Sequence, residues 1–110
     1  MVMVTVVPIF RDIIKISMAG HRTFDDVVEL DTRDGLEEWL RAIAPDVILI
    51  GLGRNEGDEI GFALLRFLPN AKVIAFSSDG RHAFVHRMHA PPTSLLDVSP
   101  QTLIDAILGS

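Results

Sequence analysis

The 110-residue chain contains no cysteine and no tyrosine, and one tryptophan. Without cysteine there is no disulfide, no thiol nucleophile and no thiolate-ligated metal site, a composition that fits a reducing compartment. An excess of basic residues is also missing. Ten Lys and Arg stand against fifteen Asp and Glu, a formal charge of -5, whereas a nucleic-acid binder needs a basic face for phosphate contacts. The longest apolar run falls far short of the roughly 20 residues of a membrane span. The opening Met1-Val2-Met3-Val4 lacks the basic stretch of a signal peptide, so the cytoplasm is the expected location. Linkers, repeats and low-complexity tracts are absent too, and the length predicts one domain over residues 1–110.

What is present is ordered around Pro45-Asp46-Val47-Ile48-Leu49-Ile50-Gly51. An unbroken Val/Ile/Leu run with no polar alternation is what a parallel strand covered by helices on both faces requires. Ligands and reactive groups of such sheets sit just past the carboxyl ends of strands, which directs attention to Gly51.

In chain order, Val2 to Val7 predicts a first strand, and Ile9 to Met18, with apolar residues at helical spacing, a first helix. Val27 to Leu30 predicts a short second strand, placed at a sheet edge because Asp25, Asp26 and Asp31 crowd it. Asp34 with Glu37 has capping-box spacing, and Leu36, Trp39, Leu40 and Ile43 make an apolar stripe that ends at Pro45. After the central strand, Ile60, Leu64, Phe67 and Leu68 give a third helix and Lys72 to Phe76 a fourth strand. Arg81 to His89 reads as a polar fourth helix and Thr93 to Val98 as a fifth strand. Ser99 as cap and Leu103, Ile104, Ile107 and Leu108 complete a last helix, with Gly109 past its end. Five strands alternating with five helices predict a parallel five-stranded α/β sheet, a (βα)5 three-layer sandwich of flavodoxin-like type.

Several stretches resemble the receiver domains of bacterial response regulators, over nearly the whole chain. Pro8-Ile9-Phe10-Arg11-Asp12-Ile13-Ile14 is similar to the opening of a receiver's first helix, and Ala44-Pro45-Asp46-Val47-Ile48-Leu49-Ile50 to its third strand. Leu65-Arg66-Phe67-Leu68-Pro69-Asn70-Ala71-Lys72-Val73-Ile74 and Leu95-Leu96-Asp97-Val98-Ser99-Pro100-Gln101-Thr102-Leu103-Ile104-Asp105-Ala106-Ile107 are similar to the LuxR/NarL-type subgroup. The resemblance implies the CheY-like fold. It also implies where phosphorelay groups would stand, and there the sequence departs from the family. The acidic-pair positions fall on Thr5, Val6 or Val7, the phosphoacceptor on Gly51, the hydroxyl switch on Ser77, and the lysine on Leu96 or a deletion beside it. Without an acceptor carboxylate no acyl phosphate forms, and without an acidic pair no Mg²⁺ offsets its charge. The expectation is a pseudo-receiver: not an enzyme, without metal or cofactor, and acting as a phosphorylation-independent protein-interaction module in signalling or transcriptional regulation. The subgroup's helix-turn-helix is not in the chain, which is therefore expected to be a stand-alone domain or a segment of something longer.

Two further features bear on partners. Arg81, His82, His86, Arg87 and His89 concentrate positive charge in an acidic chain. On a helix the three histidines share one face, and an acidic patch on a protein partner is the expected complement. His82 and His86 also have zinc-ligand spacing, but the chain has no cysteine to complete such a site. A homodimer through the first and last helices is a second possibility that the resemblance implies. A different class of function, small-ligand or nucleotide binding, would use the Gly51 to Gly57 and Ser77 to Gly80 loops. Glu56, Asp58 and Glu59 oppose a pyrophosphate there. No nucleophile elbow surrounds Ser77.

Overall fold

Val47–Gly51 forms β3, and its first four residues are buried, as a strand sandwiched between helix layers must be. The computed structural model describes residues 1–19, 27–57, 59–79, 81–88, 91, 93–95 and 98–108. Around β3 these residues form β1 (Val2–Val4), α1 (Pro8–Ser17), β2 (Val28–Leu30), α2 (Leu36–Ile43), α3 (Glu59–Phe67), β4 (Lys72–Phe76), β5 (Ala83–His86), β6 (Thr93–Leu95) and α4 (Pro100–Leu108). One six-stranded sheet runs in the order β2-β1-β3-β4-β5-β6. β2, β1, β3 and β4 are mutually parallel, while β5 runs antiparallel to β4 and β6 antiparallel to β5.

The pleat sends alternate residues to two cores. Met3, Leu49, Ile74 and Val85 meet Ile14, Met18, Leu103 and Ile107 on the α1 and α4 face. Val2, Val4, Ile48, Ile50 and Val73 meet Leu36, Leu40, Leu64 and Leu65 on the opposite face. Each fully buried Ile or Leu contributes about 1.5–3 kcal/mol relative to exposure, so the sheet's centre is its most firmly held part.

The sheet is α/β, as the alternation predicts, but it is mixed, with six strands and four helices among the described residues. The departure lies at residues 77–95. Within the predicted helix Arg81 to His89, Ala83–His86 is instead β5, the second arm of a hairpin with β4, and His89 lies outside the described residues. Ala83 and Val85 enter one core while Phe84 and His86 face the other, a period of two that satisfies both sides of the sheet. The β4–β5 turn is closed by polar bonds: Ser77 N–H donates to the His82 carbonyl (2.9 Å) and His82 N–H to Ser77 Oγ (3.0 Å).

Smaller corrections follow from packing. The α2 N-cap is Gly35 in a left-handed conformation, without a side-chain cap, rather than Asp34. Trp39, expected in the apolar stripe, is exposed. Phe62 is exposed, whereas Phe67 packs against the core as expected and lies under the Arg41 guanidinium at 4.9 Å. The end cap of the last strand-to-helix connection is as expected: Thr102 N–H donates to Ser99 Oγ (3.2 Å). The expected Gly109 stop lies outside the described residues. Among the described residues no helix is long and apolar enough to cross a membrane.

Candidate functional site

Gly51 ends β3 at the carboxyl edge of the sheet, paired with Phe76 on β4. On its other side the chain leaving β1 turns sharply at Thr5, whose φ of 49° is left-handed, a conformation that a β-branched residue adopts only when its surroundings enforce it. Three contacts enforce it. Thr5 N–H donates to the Leu30 carbonyl (2.8 Å), Thr5 Oγ1 donates to the Gly51 carbonyl (2.9 Å), and Val6 is buried in the α1 and α4 core. The turn lies directly against Gly51. A Cβ at that position would stand 2.3 Å from the Thr5 carbonyl oxygen and 3.0 Å from its carbon. Gly51 is therefore required by close backbone approach, and the site of a would-be side chain is filled by main chain.

The same Gly51 carbonyl accepts a second bond, from Arg33 Nη2 at 2.8 Å. Arg33 follows β2 and reaches across the strand end to Glu56, in the loop between β3 and α3. The guanidinium and carboxylate meet side-on, Nη1 to Oε2 at 2.5 Å and Nη2 to Oε1 at 2.6 Å, the two-point geometry that a planar guanidinium favours. Gly53 N–H adds a third donor to Glu56 Oε1 at 2.9 Å. The hydrogen bond from Arg33 holds the Glu56 carboxyl below the usual carboxylate range, and the hydrogen bond to Glu56 raises the Arg33 guanidinium. Thr5, Arg33, Gly53, Arg54, Asn55 and Glu56 line an open cleft of about 600 Å³ over this knot.

The other sequence-predicted residues do not join it. Ser77 builds the β4–β5 turn: its hydroxyl donates to Asp79 Oδ1 (2.6 Å), and this bond, with the Arg81 N–H, draws the Asp79 carboxyl down. Val6 is core and Val7 half-exposed; Leu96 lies outside the described residues. The five residues expected on one cationic helix face are separated. Arg81 and His82 are exposed in the turn at the carboxyl edge. His86 is fully buried, with its ring 4.7 Å from that of Phe62 in an edge-on arrangement and seated over Gly61 of α3. Arg87 is at the opposite edge, close enough to Lys72 to add to the burial that lowers the Lys72 ammonium. His89 lies outside the described residues. With His86 in the core and Arg81 and His82 in the turn that precedes β5, the described residues of this set do not share the common face on which the docking expectation stood.

Sequence reasoning singled out Glu56 only as an acid opposing a pyrophosphate and missed Arg33 and the pairing of the two. They are 23 positions apart and meet only because β2, β1 and β3 are parallel neighbours that end at one edge. The first helix, expected as one part of a homodimer face, exposes a stripe that the sequence pattern left undivided from the core. Ile9, Ile13 and Ile16 of α1 are 63%, 36% and 76% exposed, and at i, i+4 and i+7 they form one outward stripe. Comparison with protein-family models, with curated proteins and with solved structures finds no match for this chain.

Proposed function

We propose that this chain is a receiver-like interaction module of bacterial signalling or transcriptional regulation that works in the cytoplasm without phosphorylation and acts by pairing with a second copy of itself through α1. The observation that carries this proposal is the isoleucine stripe, because three apolar side chains on one helix face, outside both cores, are disfavoured in a surface with no partner. Self-pairing is favoured by the symmetry it needs, since an isologous pair requires only one self-complementary patch. Arg11 is paired with Asp31 (2.8 Å) and Lys15 lies 3.5 Å from Glu29, so the two cations of α1 are engaged within the subunit rather than offered to an acidic partner.

The flavodoxin-like part of the proposal has its own support. The parallel order β2-β1-β3-β4 matches the first four strands of a doubly wound flavodoxin-like sheet, and the departure lies in the antiparallel β5 and the added β6. Independence from phosphorylation is supported by Gly51, where main chain occupies the acceptor's place, and by the Arg33–Glu56 pair, which holds the adjoining loop in the ligand-free protein.

Sedimentation velocity tests the self-pairing. The wild-type chain should sediment as a dimer across the micromolar range, with or without acetyl phosphate and Mg²⁺. Ile9→Glu/Ile16→Glu should sediment as a monomer with an unchanged far-UV circular dichroism spectrum, since neither side chain belongs to a core. A wild-type chain that is monomeric throughout that range would overturn the proposal.

A further inference from the structure

We propose that the cleft at the carboxyl end of β3 is a binding site for a phosphate-type dianion, and that Glu56 is its tethered occupant in the ligand-free protein. Three N–H donors converge on the Glu56 carboxylate: two from Arg33 and one from Gly53. Two planar nitrogens and a backbone amide aimed at one small anion form a cradle that suits a phosphate as well as a carboxylate.

The cradle does not depend on Glu56 for its shape. Arg33 Nη2 is also anchored on the Gly51 carbonyl, and that carbonyl is fixed in turn by Thr5 Oγ1. With the carboxylate swung out, the guanidinium keeps its orientation and the Gly53 amide still points into the cleft. Both side chains of the pair are 31% exposed, so water reaches the pair and its hold is weak enough for exchange.

Charge selects the class of ligand. Among the described residues, Arg33, Arg54 and Glu56 are the charged ones lining the cleft. Glu59 folds its carboxylate against Gly57, outside that lining. With Glu56 in place these described residues carry one net positive charge; with Glu56 displaced they carry two, which a phosphate dianion neutralises. A free carboxylate brings nothing that the tethered one lacks, whereas a phosphate adds a second charge and a third oxygen for Arg54 or Asn55. The volume of about 600 Å³ leaves room for a small organic group on that phosphate. This site lies away from the α1 stripe and is independent of self-pairing.

The test is a titration of the full chain with inorganic phosphate against chloride at matched ionic strength, followed by the backbone amide resonance of Gly53. A saturable shift is expected in the wild-type chain. Glu56→Gln removes the competing charge and should tighten binding about fivefold, and Arg33→Gln should abolish saturation. Far-UV circular dichroism verifies each fold, and Arg33→Lys, which keeps the charge but loses the fork, should bind more weakly than wild type if Arg33→Gln unfolds. Phosphate should also raise the wild-type melting temperature above the chloride control. A Glu56→Gln chain that binds no more tightly, or shifts that grow linearly with phosphate in every variant, would identify an adventitious ion only and overturn the proposal.

Discussion

Gly51→Asp returns a carboxylate to the end of β3, and the Thr5 turn sets what that costs. The new Cβ would lie 2.3 Å from the Thr5 carbonyl oxygen and 3.3 Å from Val6 Cα. Ordinary carbon–oxygen contact is about 3.3 Å, so the turn must retreat by roughly 1 Å. It cannot do so freely, because Val6 is packed in the core and Thr5 is tied to Leu30 and Gly51. Overpacking of this kind costs about 1–3 kcal/mol, and loss of the Thr5 hydroxyl bond about 1 kcal/mol more. The total of about 2–4 kcal/mol corresponds to a fall in melting temperature of roughly 10–30 °C for a domain near this size. Urea denaturation of wild type, Gly51→Ala and Gly51→Asp checks it. Gly51→Ala should account for most of the loss, since the clash begins at Cβ. Mass spectrometry after incubation with acetyl phosphate and Mg²⁺ should find no phosphate on Gly51→Asp. A Gly51→Ala chain within about 0.5 kcal/mol of wild type, or a Gly51→Asp chain that is both stable and phosphorylated, would refute the reasoning.

Gly61→Ala sets a methyl group 2.4 Å from His86 Cδ2, beneath a ring that is fully buried, and should cost about 1–3 kcal/mol by chemical denaturation. In the double variant with His86→Ala much of that cost should disappear, so a double-mutant cycle that gives additive effects would contradict the packing described for α3 and β5. Ala44→Gly should stabilise the fold by up to about 1 kcal/mol, because Ala44 closes α2 at φ 48° while its N–H bonds to the Leu40 carbonyl; an unchanged urea midpoint would argue against that strain. Glu56 has a folded-state pKa below its ordinary 4.5. Its contribution to stability is therefore complete above that ordinary value and disappears as pH falls through the lower folded one. At most about 1 kcal/mol is involved for a pair in contact with water. Glu56→Gln should flatten the acid side of a stability-against-pH curve by that amount, and an acid limb identical to wild type would show the pair to contribute nothing.

How far the sequence discloses these features depends on whether neighbours along the chain or neighbours in space determine them. β3 is legible because burial on both faces forces a continuous apolar run. The edge placement of β2 follows from the charges around it, and it does lie at the end of the sheet. β5 is not legible from its histidines, because a spacing of four places His82 and His86 on one side of either a helix or a strand. The Asp79-Gly80 pair before the alternating Ala83-Phe84-Val85-His86 run is the hairpin signal that separates the two. Trp39 shows the limit of periodicity in a two-turn helix: Leu36 and Leu40 take the buried line, and a residue one step aside is left in solvent.

The site divides in the same way. That Gly51 carries no side chain is evident from the residue itself. The reason for it is a left-handed Thr5, which local preference disfavours and tertiary contacts impose. Likewise, nothing in the spacing of Arg33 and Glu56 links them before three parallel strands bring their loops to one edge.

A cysteine-free chain makes the central claim, pairing through α1, directly measurable. Ile13 is the middle residue of the exposed stripe, so a two-fold axis through the stripe brings the two copies of Ile13 together. On mild oxidation Ile13→Cys should form a disulfide-linked dimer rapidly and at low protein concentration. Glu38→Cys, on exposed α2 across the sheet, should remain a monomer under the same conditions. Equal cross-linking rates at the two positions, or none at Ile13→Cys, would contradict the account.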